Sequence, residues 1–447
     1  MKKKKMISVL LTAVMAAGVL SACSTGQSST QNGDNAPNTS AGGVTTIEFW
    51  AAPNPTQQAF WQTMAKDYEA VNSKVKVNVS AMKESPTSEA GIQAAIAAKS
   101  APTMSENINR GFAAQLSDSK ALVPLDTLDG FQDIVKSRSM TNTIEPWRFA
   151  DSHQYVLPIY SNAMLFGWRL DTLKELGYSE PPKTYSEILE LTKKLKAKYG
   201  DKKFLWAKAD LADPTAWKRW FDFYMLYDAA SNGNKFIEGD KFTGVDKAGL
   251  DVLTFVDSLR KENGLLARQV TDPFENGVGT FVDVGPWTFT TWAEKYPELK
   301  YNVNYTLTMP PVPDDVDPAD SKTFADTKGL VIYASATKEQ QAAAVDFIKW
   351  VYSDAKNDAA WFEQTMLPPA RDDLTSNEAF TSILDQHPEL KPYAENVPNA
   401  IPPMDNAKYN DLQTIIGEQA FNKVVKGGIT PDAGWANMKK AIESALK

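Results

Sequence analysis

Between Thr45 and Ile108 the chain switches hydrophobic period four times. Thr45-Thr46-Ile47-Glu48-Phe49-Trp50 reads as a strand that ends at a Pro53-Asn54-Pro55 turn. The next stretch predicts a helix capped by Thr56, with Phe60, Met64 and Val71 on one face and Trp61, Ala65 and Tyr68 beside it. Lys74-Val75-Lys76-Val77-Asn78-Val79 alternates as a second strand. An Ala-rich helix over Glu89–Lys99 and a short strand at Met104–Ile108 follow. Strand, helix, strand, helix, strand at these lengths commits the chain to an α/β layer with a mainly parallel sheet. Ligands of such sheets lie beyond the strand carboxyl ends. That rule singles out Trp50–Asn54 and Asn107-Ile108-Asn109-Arg110.

A second region opens after Tyr155-Val156-Leu157-Pro158, with an apolar strand over Ala163–Trp168. In Pro181-Pro182-Lys183-Thr184-Tyr185-Ser186-Glu187, Thr184 and Glu187 form a capping box that predicts a helix to about Tyr199. Asp213-Pro214 starts a further predicted helix bearing Trp217, Trp220, Phe221 and Tyr224. Their helical spacing assigns the last three to the core and leaves Trp217, in the first turn, to face a cleft. Lys247–Glu262 is amphipathic. Thr280–Val284 then reads as a strand stopped by Gly285-Pro286, which presents Trp287 at the entry of a helix over Thr288–Lys295. Because proline fixes φ and glycine admits angles that other residues avoid, a stiff turn sets the indole's position. A tryptophan held at a strand exit suits a platform for a flat ligand with polar edges. Beyond it lie strands over Tyr301–Met309 and Gly329–Ala334 and a helix over Ala342–Tyr352. Two tail helices follow, at about Tyr409–Lys426 and, from the Thr430 cap and Pro431, to Ala445.

Composition removes several function classes. The formal net charge is −8, and four of the lysines lie at positions 2–5, so the body is more acidic still. That argues against nucleic acid and against a basic membrane-binding surface. With one cysteine and two histidines far apart in sequence, there is no disulfide and no spacing for a zinc site, and no cofactor is expected. No Gly-x-x-x-x-Gly-Lys-Ser/Thr loop, no Gly-x-Ser-x-Gly and no hydrolase signature is present. Lys2–Lys5, the apolar Ile7–Leu20 and Leu20-Ser21-Ala22-Cys23 resemble a bacterial lipoprotein signal over 1–22, with Cys23 carrying lipid after cleavage. Ser24–Gly43 lacks Leu, Ile, Val and aromatic residues, so it cannot bury enough surface to fold. The segment 23–43 is expected to be a tether reaching roughly 25 Å.

Phe49-Trp50, Pro-Pro-Lys-Thr-aromatic, Gly-Pro-Trp ahead of Met309-Pro-Pro-Val-Pro, and Leu367-Pro368-Pro369-Ala370-Arg371 occur in this order. Together with the leader and the final helix pair they resemble family 1 of the extracellular solute-binding proteins, the maltose-binding-protein-like sugar receptors of ATP-driven (ABC) importers. The resemblance spans nearly the whole chain from Thr45. It implies a type II periplasmic-binding-protein-like fold of two hinged α/β lobes. One lobe would comprise 44–158 and 309–365, the other 159–308 and 366–447. It also implies that Trp287 stacks on a sugar, that Trp50–Asn54 lines the opposite wall, and that Arg371 donates to the ligand. The loop matching Asn107–Arg110 carries an acid–arginine pair in maltose-type members, and here Asn109 stands beside Arg110 in place of the acid. After Ile401-Pro402-Pro403-Met404, Lys408 stands where those members have an aromatic platform. Both departures put maltose itself in doubt.

The function so implied is that of a monomeric lipoprotein, not an enzyme. It would be lipid-anchored on the outer face of a Gram-positive-type cell membrane and deliver a carbohydrate to the transmembrane subunits of a permease. Three readings stay open beside it: a non-sugar solute such as a polyamine or phosphodiester, delivery to a sensor or chemoreceptor, and a secreted glycosidase with two carboxylates across a cleft.

Overall fold

The computed structural model describes residues 43–83, 87–215 and 218–447. The leader, the Cys23 lipidation site, the tether up to residue 42 and Trp217 therefore lie outside the described residues.

Two five-stranded sheets carry the architecture. In the first, the strand order is Val75–Ala81, Thr45–Ala51, Met104–Ile108, Gly329–Ile332, Leu157–Pro158. In the second it is Leu265–Leu266, Phe204–Ala207, Gly279–Val284, Leu165–Arg169, Tyr305–Thr308. Four strands of each sheet point the same way, and only Gly329–Ile332 in the first and Leu165–Arg169 in the second run opposite to their neighbours. Each sheet is thus mainly parallel, as the sequence predicts, with a single reversed strand. The reason lies in the connections. Leu165–Arg169 and Gly329–Ile332 enter their sheets directly from the other sheet, so no crossover helix turns them parallel.

Those passages pair with each other. Asn162–Ala163 leads from the first sheet to the second, and Thr323–Asp326 leads back. They run antiparallel, with Ala163 opposite Ala325 and Asn162 opposite Asp326. Ala400–Ile401 adds a third strand beside Thr323–Phe324. The Leu-Pro-Pro-Ala-Arg stretch lies alongside the first passage, where Ser161 N donates to Pro368 O at 2.9 Å and Ala370 N to Ile159 O at 3.0 Å. Short paired segments of this kind concentrate bending into a few residues.

Local chemistry explains where the helices start. Asn54, not Thr56, caps Pro55–Val71, its Oδ1 accepting from Thr56 N at 2.9 Å, with Pro55 in the first turn. Phe60, Trp61, Met64, Ala65 and Tyr68 bury the inner face, whereas Val71 at the last turn is 70% exposed. Glu187 reaches back to the Thr184 N–H to open Tyr185–Tyr199, as the capping box predicted. The helix expected from Asp213 is not continuous. A 3₁₀ turn over Lys218–Phe221 stops at Asp222, and a separate α-helix runs over Phe223–Ala230. The break has a cause: the buried Asp222 carboxylate forks onto Arg219 at 2.6 and 2.9 Å and also caps Phe223 N. Trp220 and Phe221 are consequently half-buried instead of core, and Tyr224 alone keeps its core position.

Candidate ligand-binding site

Trp287 sits where the sequence put it, between the Gly279–Val284 strand and the Thr288–Lys295 helix. Its indole folds back over Gly285, where an added Cβ would lie 2.2 Å from the ring. Glycine is required there by close approach, not by backbone angle. Trp287 is 45% exposed, and no other described tryptophan is classed as exposed.

An aromatic path leads away from it. Phe221 meets Trp287 edge-on at 6.1 Å between centroids, and Phe324 meets Phe221 at 6.3 Å. Trp220 stacks on Phe324 at 5.4 Å and on Tyr409 at 6.2 Å. Tyr409 closes the path against the first sheet. A Cβ on Gly111, just beyond the Asn109 cap, would lie 2.4 Å from its ring. Rings therefore connect the carboxyl end of one sheet, at Trp287, to that of the other, at Asn109. Flat apolar faces rimmed by polar groups are the surface on which ring-shaped polar solutes are held.

The other predicted residues divide by what already occupies them. Trp50 is half-buried at the end of its strand. The Asn54 and Asn109 side-chain oxygens are both spent as helix caps, Asn109 Oδ1 accepting from Phe112 N at 2.8 Å. Asn107 holds a left-handed backbone, φ +63°, at the exit of Met104–Ile108. Arg110 does not fork outward. It is 2% exposed, donates to Pro403 O at 3.1 Å and Arg148 O at 2.6 Å, and lies 3.6 Å from Asp405. Its work is to pin the Pro402–Asp405 segment to the first sheet. Lys408 is exposed and donates to Ala445 O at 2.5 Å. Its neighbour Tyr409 is buried against Trp220.

Arg371 is likewise committed inside the protein. Its Nη1 lies 2.9 Å from Asp358, and its Nε and Nη2 fork onto Asp373 at 2.8 and 3.0 Å. Asp358 is shared with Arg138, which approaches it at 2.9 and 3.1 Å and also donates to the Pro158 and Ile159 carbonyls. Asp373 and its guanidinium partner explain the direction of two shifts: the Asp373 carboxyl is held below its ordinary value and Arg371 above its own, despite burial.

Three features escaped the sequence reading. Glu106, 1% exposed, accepts from Ala52 N at 2.6 Å and from the Trp61 indole, so it positions the backbone of the Trp50–Asn54 wall. Burial pushes its pKa up to about 7. Lys208 and Asp283 form a 2.7 Å ion pair at the ends of two adjacent parallel strands, close in sequence to Trp287. Trp220, Phe221, Phe324 and Tyr409 came together only through folding. Their signal was their bulk beside strand ends, which helical spacing disguised as core. Among the described residues no group of three acidic, histidine or cysteine side chains is placed to hold a metal, and no helix is long and apolar enough to cross a membrane.

A structure of an uncharacterized protein from Listeria monocytogenes EGD-e is 59% identical, with a TM-score of 0.89, over 90% of this chain and 100% of that one. A cyclic α-maltosyl-1,6-maltose binding protein from Arthrobacter globiformis is 18% identical with a TM-score of 0.76, covering 91% and 100%. The sugar-binding protein MalE from Xanthomonas citri is 19% identical with a TM-score of 0.68, covering 90% and 97%. These last two share the two-lobed fold. The family model described as bacterial extracellular solute-binding protein matches residues 63–392. The chain belongs to the bacterial extracellular solute-binding protein family.

Proposed function

We propose that this protein captures a carbohydrate, an oligosaccharide in preference to a single ring, between two lobes and delivers it to a membrane permease driven by a separate ATPase. The observation that carries this reading is Trp287, a half-exposed indole clamped over Gly285 at the head of a continuous run of rings. The lobes are taken as 44–158 with 309–365, and 159–308 with 366–447, hinging at the paired passages Asn162–Ala163 and Thr323–Asp326. Trp50 and Asn54 would face the sugar from the first lobe and Trp287 from the second. Asn107 and Asn109 would line the floor, and Trp217 would complete the aromatic wall. Closure follows if the sugar binds the closed form more tightly than the open one. Arg110, Arg371 and Lys408 would act only by holding the walls in place. Cys23, acylated after removal of 1–22, would anchor the protein on the outer face of the cell membrane through the 23–43 tether. No chemical step is assigned to it.

A thermal-shift screen of the full chain tests this against mono- and oligosaccharides, with polyamines and phosphodiesters included. A solute at about 100 times its Kd adds roughly 2.7 kcal/mol. A rise with one carbohydrate, lost in Trp287→Ala, is expected. A rise only with a polyamine or phosphodiester overturns the sugar assignment, and turnover of the stabilising sugar overturns the receptor reading.

A further inference from the structure

Asp326 and Lys328 stand on the return passage between the two sheets, and neither is consumed by the protein. Within the Thr323–Asp326 strand, Phe324 and Asp326 are two residues apart and so point to one face. That is the face of the ring path, where Phe324 stacks on Trp220 at 5.4 Å. Glu106, which positions the Trp50–Asn54 wall, is close by. Burial, then Asp326, then Glu106 push the Tyr160 phenol well above its ordinary pKa, which places both carboxyls near it. The backbone here is pinned: Thr327 Oγ1 donates to Tyr160 O, and Ile159 N donates to Lys328 O at 3.0 Å.

The two side chains so placed are short of partners. Asp326 receives one long hydrogen bond, from Asn162 Nδ2 to Oδ2 at 3.4 Å, and among the described residues nothing donates to its Oδ1. Lys328 acts on the Asp326 and Glu106 carboxyls only through space. Among the described residues its ammonium makes no hydrogen bond and no ion pair. Both side chains are half-buried, covered enough for an unmet charge to be costly and open enough for a solute to reach. A carboxylate accepts from a hydroxyl and an ammonium donates to one. A phosphodiester would set its negative charge against Asp326, and a polyamine its positive charge against Lys328, whereas a neutral polyol satisfies both. We propose that Asp326 and Lys328 select the solute by reading two adjacent hydroxyls of a carbohydrate ring. The assignment rests on the carbohydrate reading above and names the residues that make it specific.

The test titrates the full chain by calorimetry with maltotriose, cellotriose and xylotriose, and with spermidine and glycerophosphocholine. Saturable binding of at least one trisaccharide is expected. Asp326→Ala and Lys328→Met should each weaken it by about ten- to a hundredfold. Each should leave the sugar-free Tm unlowered, because the first loses only one 3.4 Å hydrogen bond and the second none. Lys328→Met serves if Asp326→Ala fails to fold. Full trisaccharide affinity in either folded variant overturns the proposal while the carbohydrate reading stands. Binding of spermidine or glycerophosphocholine without any trisaccharide, or binding of none of the five, overturns both.

Discussion

Arg371 is the residue for which sequence and structure suggest different experiments. A ligand-donating arginine would, when removed, lower solute affinity and leave stability alone. The observed geometry predicts the reverse. Its guanidinium is 2% exposed and supplies one of the contacts to the buried Asp358 carboxylate, at 2.9 Å, while lying over the Phe380 ring at 5.4 Å. Replacing it by methionine fills the volume but withdraws one cation from Asp358. Breaking a buried pair costs about 3–5 kcal/mol. Here Arg138 still forks onto Asp358, and Asp373 is 23% exposed so that water reaches it. The lower end, about 3 kcal/mol, is therefore expected. At about 2.1 cal/mol/K of unfolding entropy per residue, over about 400 residues, that lowers Tm by about 4 °C. Arg138→Met should cost more, because it also strands the Pro158 and Ile159 carbonyls beside the first passage. Calorimetric scanning of the full chain, paired with solute titration of the folded variant, reads both quantities. An unchanged Tm with a tenfold loss of solute affinity would refute the structural role.

Other predictions rest on separate contacts. Gly285→Ala places a methyl 2.2 Å from the Trp287 ring and must expel the indole; its intrinsic fluorescence should change and solute affinity should fall nearly as far as in Trp287→Ala, with melting little altered. Lys408→Ala removes only an exposed bond to Ala445 O and should move stability by less than about 0.5 kcal/mol, whereas Tyr409→Ala empties the space between Trp220 and Gly111 and should cost about 3–5 kcal/mol by denaturant titration. Glu106 gives a pH dependence: its folded pKa, about 7, lies above the ordinary 4.5. Between those values the folded state retains a proton that the unfolded state releases, so stability contributed by this group falls as pH rises and levels off above about 7. The whole excursion is about 3 kcal/mol, and Glu106→Gln should flatten it; an identical pH–stability curve in wild type and variant would refute that assignment.

Much of the fold was legible because its signals are local. The alternation of Thr45–Ile108, the Thr184–Glu187 capping box and the Gly285-Pro286 stop depend on neighbours a few residues apart, and each appears within a residue or two of its expected limits. What was not legible depends on distant partners. Leu165–Arg169 and Gly329–Ile332 are antiparallel because they cross between sheets, which no local period encodes. Trp220 and Phe221 carry core spacing, yet Asp222 breaks their helix to satisfy Arg219, a pairing hidden until Asn422 and the Asp210 carbonyl close around that guanidinium. The site followed the same division. The place of Trp287 follows from its turn, but its neighbour Phe221, the Trp220–Tyr409 stack and the Lys208–Asp283 pair come from segments far apart in the chain. Arg110 and Arg371 share one difficulty: a guanidinium beside a strand end looks the same in sequence whether it points outward or is consumed by buried carboxylates and carbonyls.

The central claim is that solute lies between the carboxyl ends of the two sheets, touching Trp287 on one side and the Trp50–Asn54 and Asn107–Asn109 segments on the other. Amide hydrogen exchange of the full chain, with and without the carbohydrate that most raises Tm, tests it most directly. Slowed exchange in both the 284–289 and the 51–56 and 107–112 segments, and in the paired passages at 162–163 and 323–326, is the predicted result. Protection confined to one sheet, or located instead at the groove between Lys183 and Met309–Pro310, would contradict it.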